Sequence, residues 1–358
     1  MSAAPDSNGL PFDLPQRAAV RRLRGAEARL SPNRADRPRL IGYPVYSDIV
    51  DYIVRITDEI WKDRDVGRIY ETYDHACIVY SAYGVTRSVE EVIASTGASL
   101  AASQDGWIDH LNVAWSECDG EFYSSHLGFG GSVNVGWTPW GPPTGRRTRS
   151  HFVADCVSRD NRIHTEWLVR DTGAVVRQLG LDLQLTARRL AAAPSLETCI
   201  LTPVDRLKDH SPRQPLELTD AGPEAWARVF FDDLWNRRRL ARAREVYASD
   251  VICHAMGGRR VVGVEKVQAL ILEVLASLPD AVMRVDHVCW SEEGDGVILA
   301  IRWQLEGTSS PGGVLGNCPA GLPTAITAIS HLRFAHGRIV EEWLMFDELG
   351  TLVRALRT

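Results

Sequence analysis

Arg162-Ile163-His164-Thr165-Glu166-Trp167-Leu168-Val169-Arg170-Asp171 is answered later in the same chain by Arg338-Ile339-Val340-Glu341-Glu342-Trp343-Leu344-Met345-Phe346-Asp347. Each copy opens on Arg-Ile, carries Glu-Trp in the middle and places an Asp four residues after the Trp. Each then runs into Gly-x-Val/Leu-Val-Arg, Gly173 to Arg177 and Gly350 to Arg354. Outward from here the matches continue in one order. Trp61 precedes Tyr73 by twelve residues, as Trp235 precedes Tyr247; Trp115-Ser116-Glu117 recurs as Trp290-Ser291-Glu292, and Ser150-His151 as Ser330-His331. The offset stays between 174 and 180 throughout. A single order of matches held over this span reads as an internal duplication, with a period too long for a solenoid.

Within one copy, residues 47–73 carry helical spacing (Ile49, Ile53, Ile56, Ile60, then Ile69 and Tyr73), with a break expected near Asp65–Gly67. A short β-rich run at 76–83 and a helix at 88–104 follow. Four β-type runs come next, at 107–118, 121–132, 146–158 and 162–170, and a short helix closes the copy. The second copy repeats this from Ala225 to Leu356. Helices followed by consecutive hairpin-linked strands predict an α+β fold with a curved antiparallel sheet over a helix, a cone with one open end. Residues 1–40, rich in Arg and Pro, read as an arm with a short helix near 16–29. Residues 41–182 and 223–358 are the two units, and 183–222 reads as an irregular interdomain linker.

The 358 residues suit two ordinary domains, and 45% hydrophobic with 24% charged residues is a globular profile. A net charge of −6 gives no sign of a nucleic-acid partner. No stretch is apolar enough to span a bilayer, and the polar N-terminus lacks the apolar core of a secretory signal. Seven widely spaced Cys without C-x-x-C suggest reduced thiols in the cytoplasm, neither a disulfide framework nor a thiolate zinc site. A dinucleotide-binding glycine fingerprint, a P-loop, a nucleophile elbow and H-E-x-x-H are all missing, so no cofactor and no metal are expected.

Asp250-Val251-Ile252-Cys253-His254, Gly263-Val264-Glu265, Arg302-Trp303 leading to Gly307-Thr308, His331, and Gly337 through Asp347 resemble the SnoaL-like branch of the NTF2-like superfamily. Pro143-Thr144-Gly145 in the first copy adds to the likeness. The resemblance implies two NTF2-like cone-shaped α+β barrels, packing through the sheets and a deep pocket whose chemistry varies between members. Members catalyse polyketide cyclisation, double-bond isomerisation, epoxide hydrolysis, dehydration and C–C lyase reactions. A fused tandem would form the sheet pair within one chain, with a homodimer of such pairs as a further option.

Asp171 and Asp347 are the first candidates. Counting by twos places each on an apolar, aromatic strand face with Trp167 or Trp343, where desolvation would raise a carboxyl pKa and suit a general acid or base. The resemblance assigns the acid/base role to an Asp at this position. Each Asp also directly precedes a helix, so an N-cap is the other reading. His151 and His331 sit one strand earlier, where an imidazole beside the Asp would be tuned toward neutral pH; a structural sheet histidine is the alternative. Tyr80 in copy one matches His254 in copy two, and His126 matches Arg302, groups suited to stabilising oxyanion charge. Trp137 and Trp140 lie in a Gly/Pro-rich loop that could stack on a flat substrate or cover the partner domain. Tyr123, Trp167, Trp303 and Trp343 complete the expected lining. The leading expectation is a cofactor-independent lyase or dehydratase acting on an apolar, aromatic small molecule of the lignin-derived phenolic type. A cyclase or isomerase and a non-catalytic binding protein remain as alternatives.

Overall fold

The computed structural model describes residues 9–15, 45–103, 105–193, 216–293 and 296–357. The expected helix near 16–29 and residues 194–215 of the expected linker lie outside them. The first unit runs α1 (Ile49–Trp61), α2 (Arg68–Thr72), β1 (Tyr73–Ser81), β2 (Gly84–Thr86), α3 (Val89–Ala102), β3 (Trp107–Cys118), β4 (Glu121–Val133), β5 (Arg147–Arg159), β6 (Arg162–Arg170) and α4 (Thr172–Gln178). Leu183–Ala192, inside the stretch expected to be irregular, forms α5, started by Asp182 accepting from the Leu185 amide at 2.7 Å. The second unit repeats the order. It runs α6 (Pro223–Phe231) continued by a π turn at Asp232–Asn236, α7 (Ala243–Val246), β7 (Tyr247–Ala255), β8 (Arg259–Val262), α8 (Val264–Ser277), β9 (Val282–Glu293), β10 (Gly296–Thr308), β11 (Pro323–Ala335), β12 (Arg338–Phe346) and α9 (Glu348–Arg357).

Local chemistry explains the elements. Asp48 caps α1 by accepting from the Asp51 amide at 2.8 Å, and Ile49, Ile53, Ile56 and Ile60 recur on its buried face. The β3–β4, β5–β6 and β11–β12 hairpins turn on Asp119-Gly120, Asp160-Asn161 and His336-Gly337, all at positive φ, the backbone that two-residue hairpin turns require. The first strand of each unit departs from the expected antiparallel pattern. β1 pairs parallel to β6 and β7 parallel to β12: each is joined by a hairpin to the short edge strand that follows it, β2 or β8, and lies beside its unit's last strand, from which a helix and several strands separate it in sequence.

All twelve strands form one sheet, ordered β2-β1-β6-β5-β4-β3-β9-β10-β11-β12-β7-β8. The halves join at a single antiparallel pair, Trp115 with Trp290. Each half covers one face with its own helices. The other faces of the two halves meet: Leu127, Val153 and Val169 pack with Ile329, Trp343 and Met345. We call this contact the seam. Near the N-terminus, Phe12 inserts beside Trp226 and Phe334 of the second unit (centroids 5.3 and 5.2 Å).

The two cones are filled differently. In the second, Trp303 is fully buried, 4.7 Å from Trp235, and Phe346 is buried beside it. Ladder pairing fixes the equivalents: Trp303 pairs with Val285 and Ala328, as Gly128 pairs with His110 and Phe152. Phe346 pairs with Ala328, as Arg170 pairs with Phe152. The first cone therefore has glycine, histidine and arginine where the second has tryptophan, valine and phenylalanine. Phe152, Ala154 and Leu168 are half-buried there, whereas Ala328, Ser330 and Leu344 are fully buried. Phe152 lies directly over Gly128, where a Cβ would meet its ring at 2.2 Å.

Candidate active site in the first unit

β3 and β4 flank one tight turn, so His110 pairs with Gly128 and His126 is its diagonal neighbour on the same face. His110 Nδ1 lies 2.9 Å from His126 Nε2, with the rings stacked at 5.0 Å. His110 Nε2 lies 2.7 Å from Asp58 Oδ1 on α1, and Lys62 Nζ holds the same oxygen at 2.7 Å. Burial acts to raise the Asp58 pKa, but the hydrogen bonds from His110 and Lys62 outweigh it and the net shift is downward. Asp58 is then a carboxylate that only accepts, so the proton between it and His110 sits on Nε2. Phe152 meets His126 edge-on at 5.5 Å. One strand further, Arg170 places its guanidinium 5.7 Å from the Trp61 ring centroid. Deeper in the cone Tyr73 OH donates to Glu166 at 3.0 Å, as Tyr247 donates to Glu342 at 2.9 Å in the second unit.

The second unit keeps the helix carboxylate and loses the rest. Asp232 accepts from Asn236 at 2.8 Å, Val285 replaces His110, and Ile301 occupies the position of His126.

Most of the residues expected in a cone lie in the seam, and that placement is corrected. Asp171 accepts from Gly257 N and Gly258 N at 2.8 Å in the β7–β8 turn of the other unit, as well as capping α4 through Ala174 N. Asp347 accepts from Gly350 N at 2.8 Å and from Thr172 Oγ1 at 2.6 Å; burial pushes its carboxyl up to about 7. Neither expected His–Asp pair forms among the described side chains. His331 pairs across the ladder with Trp343 and equates with Asp155, while His151 equates with Thr327, so the two Ser-His motifs are not counterparts. Arg302 equates with Leu127, not with His126; it pairs with Asp155 at 3.1 Å and covers Trp167 at 3.6 Å, with Tyr80 stacked on the same indole. His254 bonds Glu341 at 2.9 Å and stacks on Trp343, with His151 5.4 Å away. Tyr123 stacks on His287 at 4.5 Å. Trp303 is a core residue of the second unit. Trp137 is 76% exposed, and Trp140 packs on the second unit's core. Of the expected site residues, His126 alone faces the first cone, where it is 2% exposed. Asp58 and Arg170 escaped the sequence reading, and His110, which aligns with Val285, reads there as a surface or core histidine, although two histidines on strands flanking one Asp-Gly turn were a usable signal.

His331 is fully buried between Asn112 Oδ1 and Ser125 Oγ, at 2.5 and 2.8 Å. A neutral ring satisfies both, its Nδ1–H donating to Asn112 and its Nε2 accepting from Ser125. Burial lowers its pKa to about 3, whereas an unfolded histidine titrates near about 6.5. Between those values the unfolded chain binds the extra proton, so stability rises with pH by up to about 1.4 kcal/mol per unit from this site. His331→Gln is expected to lower the slope of unfolding free energy against pH by about that much across this window. Identical slopes in denaturant titrations would show that the folded ring titrates normally.

Among the described residues no group of three His, Cys, Asp or Glu is arranged to hold a metal ion, and no helix is long and apolar enough to cross a membrane. Residues 225–354 match the family model described as SnoaL-like polyketide cyclase. Among curated proteins none matches the chain. Solved structures similar to it include a protein described as a SnoaL-like polyketide cyclase from Jannaschia Sp. CCS1 (16% identity, 37% of this chain and 92% of that one, TM-score 0.34). TsrD from Streptomyces laurentii is similar at 14% identity, over 37% of this chain and 94% of its own, with TM-score 0.33. IdmH from Streptomyces antibioticus, described as a polyketide cyclase, is similar at 24% identity, over 34% and 90%, with TM-score 0.28.

Proposed function

We propose that the first unit is a cofactor-independent acid–base enzyme, a lyase or dehydratase acting on an apolar, aromatic small molecule. The observation that carries this reading is the Asp58–His110–His126 chain in the less filled of the two cones. With Asp58 ionised and the shared proton on His110 Nε2, His110 Nδ1 accepts from His126 Nε2–H, and the base of this reading is His126 Nδ1. When Nδ1 takes a proton, the Nε2 proton passes to His110, and the imidazolium formed there faces the Asp58 carboxylate. His126 is the acid–base group, and His110 and Asp58 position and charge it. In an elimination it removes a proton from carbon and returns one to the departing hydroxyl. Phe152, Trp61 and Leu168 supply apolar surface for an aromatic body. In this reading Asp171 and Asp347 hold the units together. A cyclase is the second reading, favoured by the description of the family model matched at residues 225–354; the same base would then deprotonate a carbon nucleophile.

The test is turnover on a panel of phenolic diarylpropane alcohols, β-hydroxy ketones and linear polyketide-type diketones, followed by product analysis. On any substrate found, His126→Gln is expected to lower kcat by about 10²–10⁴-fold, and Asp58→Asn to lower it while leaving the thermal midpoint in place. Full turnover by the Asp58→Asn/His126→Gln double variant would sink the assignment, and the products separate elimination from cyclisation.

A further inference from the structure

β6 alternates between two environments. Trp167 and Val169 face the seam, so Leu168 and Arg170 face the first cone. Among the described residues no carboxylate comes within ion-pair distance of Arg170, and no hydrogen bond reaches its guanidinium, which lies 5.7 Å from the Trp61 ring centroid. The nearest carboxylates are already engaged. Glu166 accepts from Tyr73, and Asp347 from Thr172 and Gly350. The side chain is open to solvent, where its charge is hydrated and an incoming anion can reach it. The fold itself does not demand the cation, because the second unit carries the buried Phe346 at the equivalent position.

We propose that Arg170 is the anion-anchoring residue of the first cone and that its ligand is an aromatic molecule bearing a carboxylate. A planar guanidinium presents two parallel N–H donors that match a carboxylate, and an indole beneath it holds that plane in orientation. Arg170 and His126 are separated by β5, two strand spacings across and two residues along, or about 12 Å at the backbone. Phe152 lies between them. The anion would therefore sit at one end of the cone, the ring of the ligand over Phe152, and the bond to be broken at the His126 end. The inference rests on the first unit being the ligand-binding one.

The test uses the full chain and two nearly isosteric probes, 4-hydroxybenzoate and 4-hydroxybenzamide, in titration calorimetry. The acid is expected to bind at least about tenfold more tightly than the amide. Arg170→Gln should erase that preference, and Arg170→Lys should keep part of it. Arg170→Phe, the residue of the second unit, should also erase it and guards against a variant that fails to fold. His126→Gln should keep the preference intact, so a failed acid–base assignment shows in turnover and a failed anchor shows in binding. Equal affinity of the two probes, no binding by either, or a preference that survives Arg170→Gln would overturn the proposal.

Discussion

Arg302→Leu is expected to destabilise the folded protein by about 3–5 kcal/mol, the usual cost of removing one member of a buried ion pair. Arg302 and Asp155 are 7% and 4% exposed, and they meet across the seam, one from each unit. Without the guanidinium, the Asp155 carboxylate stays in a space from which water is excluded. Its pKa is already raised by burial, although Arg302 holds it down. The leucine itself is not the difficulty: Leu127 occupies the equivalent position in the first unit and packs well. Adding Asp155→Leu should recover most of the loss, because two apolar side chains can replace a buried pair at little or no net cost. Denaturant midpoints at constant m-value measure both effects. A single variant within about 1 kcal/mol of the parent would mean that water reaches the carboxylate and that the seam is looser than its contacts imply.

The seam also explains why the fold was legible while most of the site was not. Turn residues, α1 periodicity and the Glu-Trp-x-x-x-Asp repeats report on local backbone and on which residues are apolar, and the strand limits follow closely. Which face a strand turns toward which neighbour is a different matter. In β6 an extra residue, His164, sits between the pairs Val157–Thr165 and Ser158–Ile163. Ile163 therefore points into the cone and Trp167 away from it, and counting by twos across the bulge assigns them to one face. The match of His126 with Arg302 failed for a related reason. Trp115 pairs with Trp290 and Ser124 aligns with Leu299, so His126 corresponds to Ile301; one residue of slip exchanges cone for seam. An aromatic strand face looks the same in sequence whether it lines a pocket or meets a second sheet. The duplication itself concealed the proposed site residues, since looking for what both copies share selects what holds the units together. His110 and Arg170 belong to one copy, and Asp58, which Asp232 matches in the second, lies 52 positions from His110 in sequence.

That asymmetry can be turned into an experiment on the first cone. Gly128→Trp alone should fail, since even a Cβ there meets Phe152 at 2.2 Å. Gly128→Trp with Phe152→Ala and Ala154→Ser copies the second unit, where Trp303 lies beside Ala328 and its Nε1 donates to Ser330 at 3.2 Å. The exchange moves aromatic volume from β5 to β4 and closes the upper cone, and a satisfied indole adds buried apolar area. The triple variant is expected to fold with a thermal midpoint within about 5 °C of the parent and to lose turnover and 4-hydroxybenzoate binding together. The Asp58–His110 contact and Arg170 remain in its sequence, so the loss would be one of access, not of chemistry. Trp303→Phe in the second unit should do the reverse, costing stability through the space it leaves while turnover holds. A triple variant that folds and still turns over at the parent rate would move the chemistry out of the first cone. The seam would then become the place to look, with its His151–His254–Glu341 group.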